Sequence, residues 1–268
     1  MTFRSDVDGG AGRFSEAELS QNAFLGGRLM LFQPLKGYRA GVDPVLLAAA
    51  VPAEAGQSAL ELGCGAGAAI LSLAARQPGL TLCGVELQPE YADLARRNAA
   101  ANGVALDLHC ADLTALPAAF RQRQFDHVLA NPPYYRAGAH SQASDAGRAT
   151  ALGGATPLAD WVAVAARRLR PKGLLHMIQR ADRLPEMLAA CDGRLGSVEV
   201  LPFAARAGRA PDLLILRARK GGRAAFRLHA PLILHEGDRH GRDGDSYRAE
   251  ITAVLRDGAA LPWPAPGS

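Results

Sequence analysis

Short apolar runs that alternate with helix-like segments from Ser58 onward are the feature that most constrains how this chain can fold. Such alternation is typical of a parallel β-sheet whose two faces are covered by helices. The predicted strands are 58–62, 81–86, 105–110, 125–130 and 173–179. The predicted helices are 66–76, 89–102, 157–170 and 182–191. Two later apolar stretches, 197–203 and 212–217, read as a final antiparallel pair, so we expect an α/β fold with a mostly parallel seven-stranded sheet.

The two ends of the chain lack this alternation. Residues 1–27 are rich in glycine and weakly patterned, which predicts a flexible N-terminal segment. Residues 28–220 are expected to form the main domain, and 221–268 a C-terminal appendage packed on it. No apolar run approaches the roughly 18 residues of a membrane span, and the start lacks the apolar core of a signal peptide. We therefore expect a cytoplasmic protein without membrane contact.

A glycine-rich turn, in the stretch ALELGCGAG, joins the first predicted strand to the first helix. Its glycines are Gly63, Gly65 and Gly67. They would let the backbone turn tightly and approach a ligand closely. Glu86 ends the second strand, where an acidic residue accepts hydrogen bonds from a ribose in nucleotide-binding α/β folds. Asp112 follows the third strand and is placed for an adenine edge, because ligands of open sheets bind outside the carboxyl ends of the strands.

The acid that precedes this turn bears on which nucleotide binds. Glu61 lies two residues before the first glycine, and the glycine spacing differs from the dinucleotide pattern. A carboxylate there repels a pyrophosphate but suits a ligand with an ammonium and a sulfonium. This favours S-adenosylmethionine over NAD. The alternative is that Glu61 is only a solvated acid at a strand end.

The stretch NPPYY follows the fourth strand and is the candidate catalytic loop, formed by Asn131, Pro132, Pro133 and Tyr134. Asn131 is also predicted to contact the cofactor. The Asn131 side-chain carbonyl and the Pro132 backbone carbonyl, held by the fixed φ angles of proline, would accept hydrogen bonds from an exocyclic amine. Tyr134 would stack on a base, and Tyr135 would serve either substrate contact or core packing. The alternative is a rigid turn with a packing aromatic, since Asn-Pro and Pro-Pro commonly mark turns.

Four motifs, ALELGCGAG, GVELQPE, CADL and NPPYY, together resemble class I S-adenosylmethionine-dependent amino-methyltransferases. Over about 32–261 the chain resembles, more narrowly, the bacterial tRNA adenine-N6 methyltransferases that modify the adenine beside the anticodon of a valine tRNA. The narrower resemblance includes FQPLKGYRAGVDPVLLAAAVP and LILHEGD. It implies a Rossmann-like methyltransferase fold, S-adenosylmethionine as cofactor, and tRNA as substrate.

The resemblance also implies a role for the segment before the first strand. Its matching residues, Lys36, Tyr38, Arg39 and Asp43, would fold over the methionine end of the cofactor. The chain departs from the family in two places. ATALGGATP replaces a more polar stretch, and Gln179 stands where many members have His. Both departures bear on substrate specificity and leave the cofactor prediction unchanged.

Positive charge is concentrated in the second half of the chain, where residues 136–268 carry 20 Lys and Arg against 13 Asp and Glu. Such an excess favours a polyanionic partner such as RNA. The predicted phosphate-binding residues are Arg180, Arg183, Arg206, Arg209, Arg217, Arg219 and Lys220. The alternative is a solvated basic face, and 27 of the 30 basic residues being Arg also fits a compositional bias.

Other functions remain open at this point. An rRNA guanine-N2 or protein glutamine-N5 methyltransferase would use the same chemistry on another acceptor. An NAD-binding Rossmann protein and a non-catalytic RNA-binding module are the alternatives from other classes. The four cysteines, Cys64, Cys83, Cys110 and Cys191, lie far apart without metal-ligand spacing. They are predicted to be small buried thiols, and no metal site is expected.

Overall fold

The computed structural model describes residues 13–134, 156–237 and 246–265. It begins with an antiparallel hairpin of β1 (Leu19–Phe24) and β2 (Leu29–Pro34). The prediction of a flexible segment through residue 27 is therefore wrong from Leu19 onward. The side chains of β1 are only partly buried, so the strand has no strong apolar pattern, and its order comes from pairing with β2. Leu29 and Leu31 of β2 are fully buried and anchor the hairpin to the domain.

The central domain alternates strands and helices as predicted. Its elements are α1 (Asp43–Ala49), β3 (Ser58–Leu62), α2 (Ala68–Arg76), β4 (Thr81–Glu86), α3 (Pro89–Ala101), β5 (Leu106–Cys110), α4 (Ala118–Arg121), β6 (Phe125–Ala130), α5 (Leu158–Arg168), β7 (Leu169–Arg180), α6 (Leu184–Cys191), β8 (Gly196–Ala204) and β9 (Leu213–Arg219). The seven strands are arranged in the order β5-β4-β3-β6-β7-β9-β8, and β9 runs antiparallel to both of its neighbours. The prediction of an α/β fold with a mostly parallel sheet and a C-terminal antiparallel pair is confirmed, whereas two further short strands bring the sheet to nine.

The strands are apolar because helices cover both faces of the sheet. All five residues of β3 are buried, as expected for a central parallel strand. One buried cluster joins one face of the sheet to α1 and α2, and a second joins the other face to α5 and α6. These two layers leave the carboxyl ends of the parallel strands at one edge of the domain.

Strand β7 is longer than its sequence predicted. The sequence predicts a helix through residue 170 and a strand from residue 173, but the strand begins at Leu169. The register with β6 shifts between Phe125 and His127, and Lys172 adopts a left-handed conformation with φ +68°. The local proline and glycine therefore mark an irregularity inside a strand rather than a break before it.

The C-terminal residues pack on this sheet. Two short strands, β10 (Arg227–Leu228) and β11 (Leu232–Ile233), run parallel to β8 beyond the predicted seven, and α7 (Ala249–Asp257) contacts α1. Of the cysteines, Cys64, Cys83 and Cys191 are buried, whereas Cys110 is exposed, contrary to prediction. In the described ranges, none of the helices has the length and apolar character that crossing a membrane requires.

Candidate active site

The candidate site lies where three adjacent parallel strands end. The glycine-rich turn follows β3, Glu86 ends β4, and Asn131 follows β6. Because β3 lies between β4 and β6, all three groups meet at one edge of the sheet. Leu62 pairs with Ala130, which places the glycine-rich turn directly beside the candidate catalytic loop.

The three glycines of the turn all require a conformation that other residues rarely adopt. Gly63, Gly65 and Gly67 have φ values of +62°, +54° and +86°. A Cβ at Gly63 would lie 2.5 Å from a ring carbon of Trp161, so this position excludes any larger residue. Gly67 occupies the N-cap position of α2. Backbone geometry thus explains the glycine spacing seen in the sequence.

Two buried carboxylates hold this turn in place. The Glu61 carboxylate accepts a hydrogen bond from the backbone N–H of Ile70 at 2.8 Å, inside the first turn of α2. The Glu86 carboxylate accepts from the N–H of Gly65 and from that of Gln88, each at 2.8 Å. Burial raises the pKa of Glu61 to about 8 and also raises the pKa of Glu86. Both acids therefore hold the turn through hydrogen bonds, and burial makes their charged forms costly.

The two buried acids at the turn indicate which nucleotide fits. Two carboxylates at the turn, Glu61 and Glu86, are 3% and 6% exposed. A pyrophosphate beside these acids would make their charged forms still more costly and would gain no opposite charge from them, which argues against a dinucleotide. They suit a ligand that brings a cation and hydroxyl donors, so the residues present fit S-adenosylmethionine. Asp112 lies at the same edge after β5 and accepts hydrogen bonds from the Thr114 N–H and hydroxyl at 2.7 and 2.8 Å.

The segment before α1 reaches over the same edge. The Tyr38 backbone N–H donates to the Tyr91 hydroxyl at 2.9 Å, while 46% of the Tyr38 residue stays exposed. The Tyr38 hydroxyl accepts a long hydrogen bond, 3.5 Å, from the Asn131 amide. Lys36 is exposed and Asp43 is partly buried. The structure thus brings Tyr38 and Asp43 to the candidate catalytic loop.

Arg39, predicted to fold over the cofactor, also contacts the N-terminal hairpin. Its guanidinium donates to the Ser20 hydroxyl and the Pro34 carbonyl at 2.8 Å, and to the Asn22 side chain at 3.0 Å. These bonds tie the segment to the β1–β2 hairpin. These bonds account for both terminal nitrogens of the exposed side chain, and its predicted contact with the cofactor stays a prediction.

The candidate catalytic loop is fixed by two contacts with other elements. The Pro132 carbonyl accepts a hydrogen bond from the Gln179 side-chain amide at 3.2 Å. The Tyr134 hydroxyl donates to the Asp43 carboxylate. Burial and the Asp43 charge raise the pKa of Tyr134, so the hydroxyl keeps its proton and remains a donor. Neither contact has a signature in the sequence, because each joins residues far apart in the chain.

The predicted phosphate-binding arginines do not form one surface. Arg183 is buried and pairs with Glu186 at 2.7 Å. Arg206 is buried and donates to the carbonyls of Glu236 and Gly237. Neither is available to a phosphate, and both predictions are corrected. The Arg183 guanidinium pairs with a carboxylate and the Arg206 guanidinium with backbone carbonyls, and both lie inside the protein rather than facing solvent.

The remaining predicted RNA contacts are separated along the sheet. Arg180 and Arg209 are exposed, and Arg180 lies at the carboxyl end of β7. Leu213 pairs with Arg180, whereas Arg219 pairs with Leu174, about 20 Å away at the usual rise per residue. Arg217 is held by Glu199 at 3.1 Å. The prediction for Tyr135 falls outside the described residues.

A polar cluster outside the site was not anticipated from the sequence. Ligand atoms of Cys83, Asp107 and His109 lie within 4.8 Å of one another. The Arg123 guanidinium is 2.6 Å from the Asp107 carboxylate and 3.1 Å from the His109 ring. The Arg123 guanidinium thus pairs with the partly exposed Asp107 carboxylate of this group.

Several methyltransferases are similar to this chain. The family model described as a methyltransferase domain matches residues 59–154. A predicted O-methyltransferase from Agrobacterium tumefaciens has a similar structure, with a TM-score of 0.67 and 28% identity over 81% of this chain and 97% of that one. A 16S rRNA N2 methyltransferase from Thermus thermophilus, solved with AdoMet and guanosine, shares the fold at a TM-score of 0.54 and 21% identity, over 75% of this chain and 50% of that one.

One relative indicates a narrower family of methyltransferases. The tRNA1(Val) (adenine(37)-N6)-methyltransferase of Porphyromonas gingivalis is 31% identical over 209 residues, which cover 74% of this chain and 81% of that protein. This match of 209 residues is about twice as long as the 59–154 region that the general methyltransferase model covers. The chain therefore belongs to the tRNA1(Val) (adenine(37)-N6)-methyltransferase family.

Proposed function

We propose that this protein transfers a methyl group from S-adenosylmethionine to N6 of an adenine in the anticodon loop of a tRNA, adenine 37 of a valine tRNA as in its relatives. One observation carries the proposal. The Asn131 and Pro132 carbonyls follow β6, directly beside the cofactor-type turn after β3. An acceptor pair in that position suits an exocyclic amine, which has two N–H groups to donate.

Several residues would hold S-adenosylmethionine. The Gly63, Gly65 and Gly67 backbone would approach the ligand, Glu61 and Glu86 would supply negative charge and acceptors, and Asp112 would face the adenine edge. Lys36, Tyr38 and Asp43 would cover it from the segment before α1. When bound, S-adenosylmethionine would supply a methyl group on a positively charged sulfur, which leaves as the neutral thioether when the methyl–sulfur bond breaks.

The remaining task for the protein is to make the adenine amine a better nucleophile. Its lone pair is delocalised into the ring, so hydrogen bonds to both N–H groups favour a tetrahedral nitrogen and free that pair. The Asn131 side-chain oxygen and the Pro132 carbonyl would accept those bonds. As positive charge grows on nitrogen, both bonds strengthen, which is the difference that raises kcat.

Tyr134 would orient the base. Its ring is partly buried and its hydroxyl is held by Asp43, so the ring has little freedom to rotate away. Stacking of a base on such a ring contributes about 1–3 kcal/mol. An unpaired loop base is the form of RNA that can be splayed out and stacked in this way. Arg180, exposed beyond Gln179, and Arg209 remain the proposed phosphate contacts, with Tyr135 as a proposed base contact.

A labelled-methyl experiment tests this function. The protein is incubated with methyl-labelled S-adenosylmethionine and, separately, with unmodified valine tRNA, ribosomal RNA and a glutamine-containing release-factor substrate. Nucleoside and peptide mass spectrometry then locates the label. N6-methyladenosine in the tRNA is expected. Label in N2-methylguanosine or in a glutamine amide, with none in the tRNA, would replace this proposal by the corresponding alternative.

A further inference from the structure

We infer that Gln179 is a positioning residue, which acts through the Pro132 carbonyl to set the geometry of the catalytic loop. The inference rests on the proposed function in assigning that loop to catalysis. Its structural basis is independent of the substrate. Gln179 is fully buried, and its amide nitrogen lies 3.2 Å from the Pro132 carbonyl oxygen.

The sheet explains why a side chain is needed at this point. Ala130 pairs with Met177, so Pro132 lies opposite Gln179 when the same register is continued. In a continued parallel ladder a backbone N–H of β7 would satisfy the Pro132 carbonyl, but the pairing of β6 with β7 ends at Ala130, two residues before Pro132. The Gln179 side chain supplies the missing donor. It extends the fixed geometry of the sheet two residues into the loop.

The two ends of the Gln179 amide are distinguished by their neighbours. Its oxygen accepts the backbone N–H of Arg180 at 2.9 Å, while its nitrogen donates to Pro132. The reverse orientation would bring oxygen against the Pro132 carbonyl and nitrogen against a backbone donor. Only one orientation satisfies both contacts, so the donor towards Pro132 is permanent.

This contact also directs the remaining hydrogen-bonding capacity of the carbonyl. A carbonyl oxygen accepts two hydrogen bonds in different directions. With one direction taken by Gln179, a single direction is left for the substrate amine. Gln179 therefore fixes both the position of the Pro132 oxygen and the angle at which it receives an N–H. An apolar residue of similar size would fill the space without this constraint.

Kinetics of matched variants test the role. Gln179→Met keeps the buried volume and removes the donor, and Met177→Leu on the same strand is the control. We expect kcat to fall at least 10-fold for Gln179→Met, with KM for S-adenosylmethionine within about twofold of the parent and Met177→Leu unchanged. Gln179→His, which keeps an N–H, should recover part of the rate. A Gln179→Met protein with the parent kcat would overturn the inference.

A pH profile separates positioning from simple packing. In Gln179→Glu, the protonated carboxyl donates to the Pro132 carbonyl, whereas the carboxylate repels it. The rate of Gln179→Glu relative to the parent should therefore fall as pH rises through the pKa of the new carboxyl. A ratio that stays flat between pH 5 and pH 9 would contradict a donor role.

A spectroscopic measurement needs no RNA and therefore separates this inference from the proposed function. The sequence contains one Pro-Pro step, so labelling with 13C-carbonyl, 15N-proline gives a single coupled pair, at Pro132 and Pro133. We expect the Pro132 carbonyl resonance to move upfield in Gln179→Met and to stay in place in Met177→Leu. An unmoved resonance would refute the contact even if the enzyme proved to act on another substrate. A parent protein that methylates no tRNA while the resonance does move would refute only the proposed function.

Discussion

The Tyr134 hydroxyl donates a hydrogen bond to the carboxylate of Asp43, a residue 91 positions earlier in the chain. The bond joins the loop after β6 to the first turn of α1. Asp43 also ends the segment that carries Tyr38 over the site, and the Tyr38 hydroxyl accepts from Asn131. The substrate side and the cofactor side of the site are thus linked through hydrogen bonds between side chains.

Removing only the hydroxyl tests this link. Tyr134→Phe keeps the ring for stacking and loses the bond to Asp43. We expect kcat to fall about fivefold, because one net hydrogen bond is worth about 1 kcal/mol. Tyr134→Ala should lose a further 10-fold or more, since stacking contributes about 1–3 kcal/mol. Single-turnover methylation measures both. Asp43→Asn, which keeps an acceptor oxygen, should retain more of the rate than Tyr134→Phe. Parent-like rates in Tyr134→Phe would show that the hydrogen bond contributes nothing to catalysis.

The acceptor role of Asn131 gives a sharper loss. Asn131→Ala removes one of the two oxygens proposed to receive the amine, and the one hydrogen bond of this side chain within the described ranges is the 3.5 Å bond to Tyr38. We expect kcat to fall at least about 100-fold, the usual effect of removing a donor or acceptor that acts on developing charge. Calorimetry should show S-adenosylmethionine affinity within about threefold of the parent. Retained turnover would remove Asn131 from catalysis.

Local signals made the cofactor side of this site predictable. The glycine-rich turn and Glu86 are set by strand ends, and both positions follow from counting along an alternating pattern. The prediction that Arg183 and Arg206 bind phosphate was wrong, because a charged residue in the sequence does not reveal whether its partner is water or a buried protein group. The Gln179–Pro132 contact spans 47 residues and exists only through the pairing of β6 with β7. Such contacts depend on register, which the sequence pattern does not specify.

Glu61 should make stability depend on pH in an unusual direction. Burial raises its pKa to about 8 from an ordinary value of 4.5. The folded protein therefore binds the proton more tightly than the unfolded chain, and the free energy of unfolding should fall as pH rises from about 4.5 to about 8. Glu61→Gln should lack this component. Urea unfolding of both proteins across that range measures the difference, and parallel curves would disprove the shift.

The same carboxyl couples the cofactor to protons. A cationic group brought next to Glu61 lowers its pKa, so binding of S-adenosylmethionine near pH 7 should release protons. Calorimetry in two buffers with different ionisation enthalpies measures the number released. The release should disappear in Glu61→Gln and diminish above pH 8. Equal heats in both buffers for the parent protein would show that the ligand does not approach this acid.

Charge reversal at opposite ends of the paired strands β7 and β9 should distinguish RNA contacts from ordinary surface charge. Arg180→Glu changes an exposed cation beside the catalytic loop, and Arg219→Glu changes one about 20 Å along the sheet. We expect Arg180→Glu to weaken tRNA binding and to reduce the salt slope by about one. Arg219→Glu should have little effect. Filter binding at several salt concentrations makes the comparison, and equal losses would indicate non-specific attraction.

Glu199 should contribute stability with the opposite pH dependence from Glu61. Burial acts to raise its pKa, but hydrogen bonds from Trp263, His229 and Arg217 outweigh it and lower the pKa below 4.5. These donors lie 2.9, 3.0 and 3.1 Å from one carboxylate oxygen. An acid with a lowered pKa stabilises the fold above its unfolded pKa, and this stability is lost as pH falls through the folded value.

Trp263→Phe isolates one of these bonds. It keeps an aromatic ring at this position, where the Arg217 guanidinium stacks 4.2 Å from the centroid, and removes the N–H donor to Glu199. We expect a loss of about 1.5–3 kcal/mol at pH 7, as for other hydrogen bonds to a charged group. The loss should shrink as Glu199 is protonated at acidic pH. Urea unfolding at pH 7 and pH 3.5 tests this, with Trp263→Leu as the variant that also lacks the ring. A loss that is equal at both pH values would show that Trp263 stabilises the sheet by packing alone.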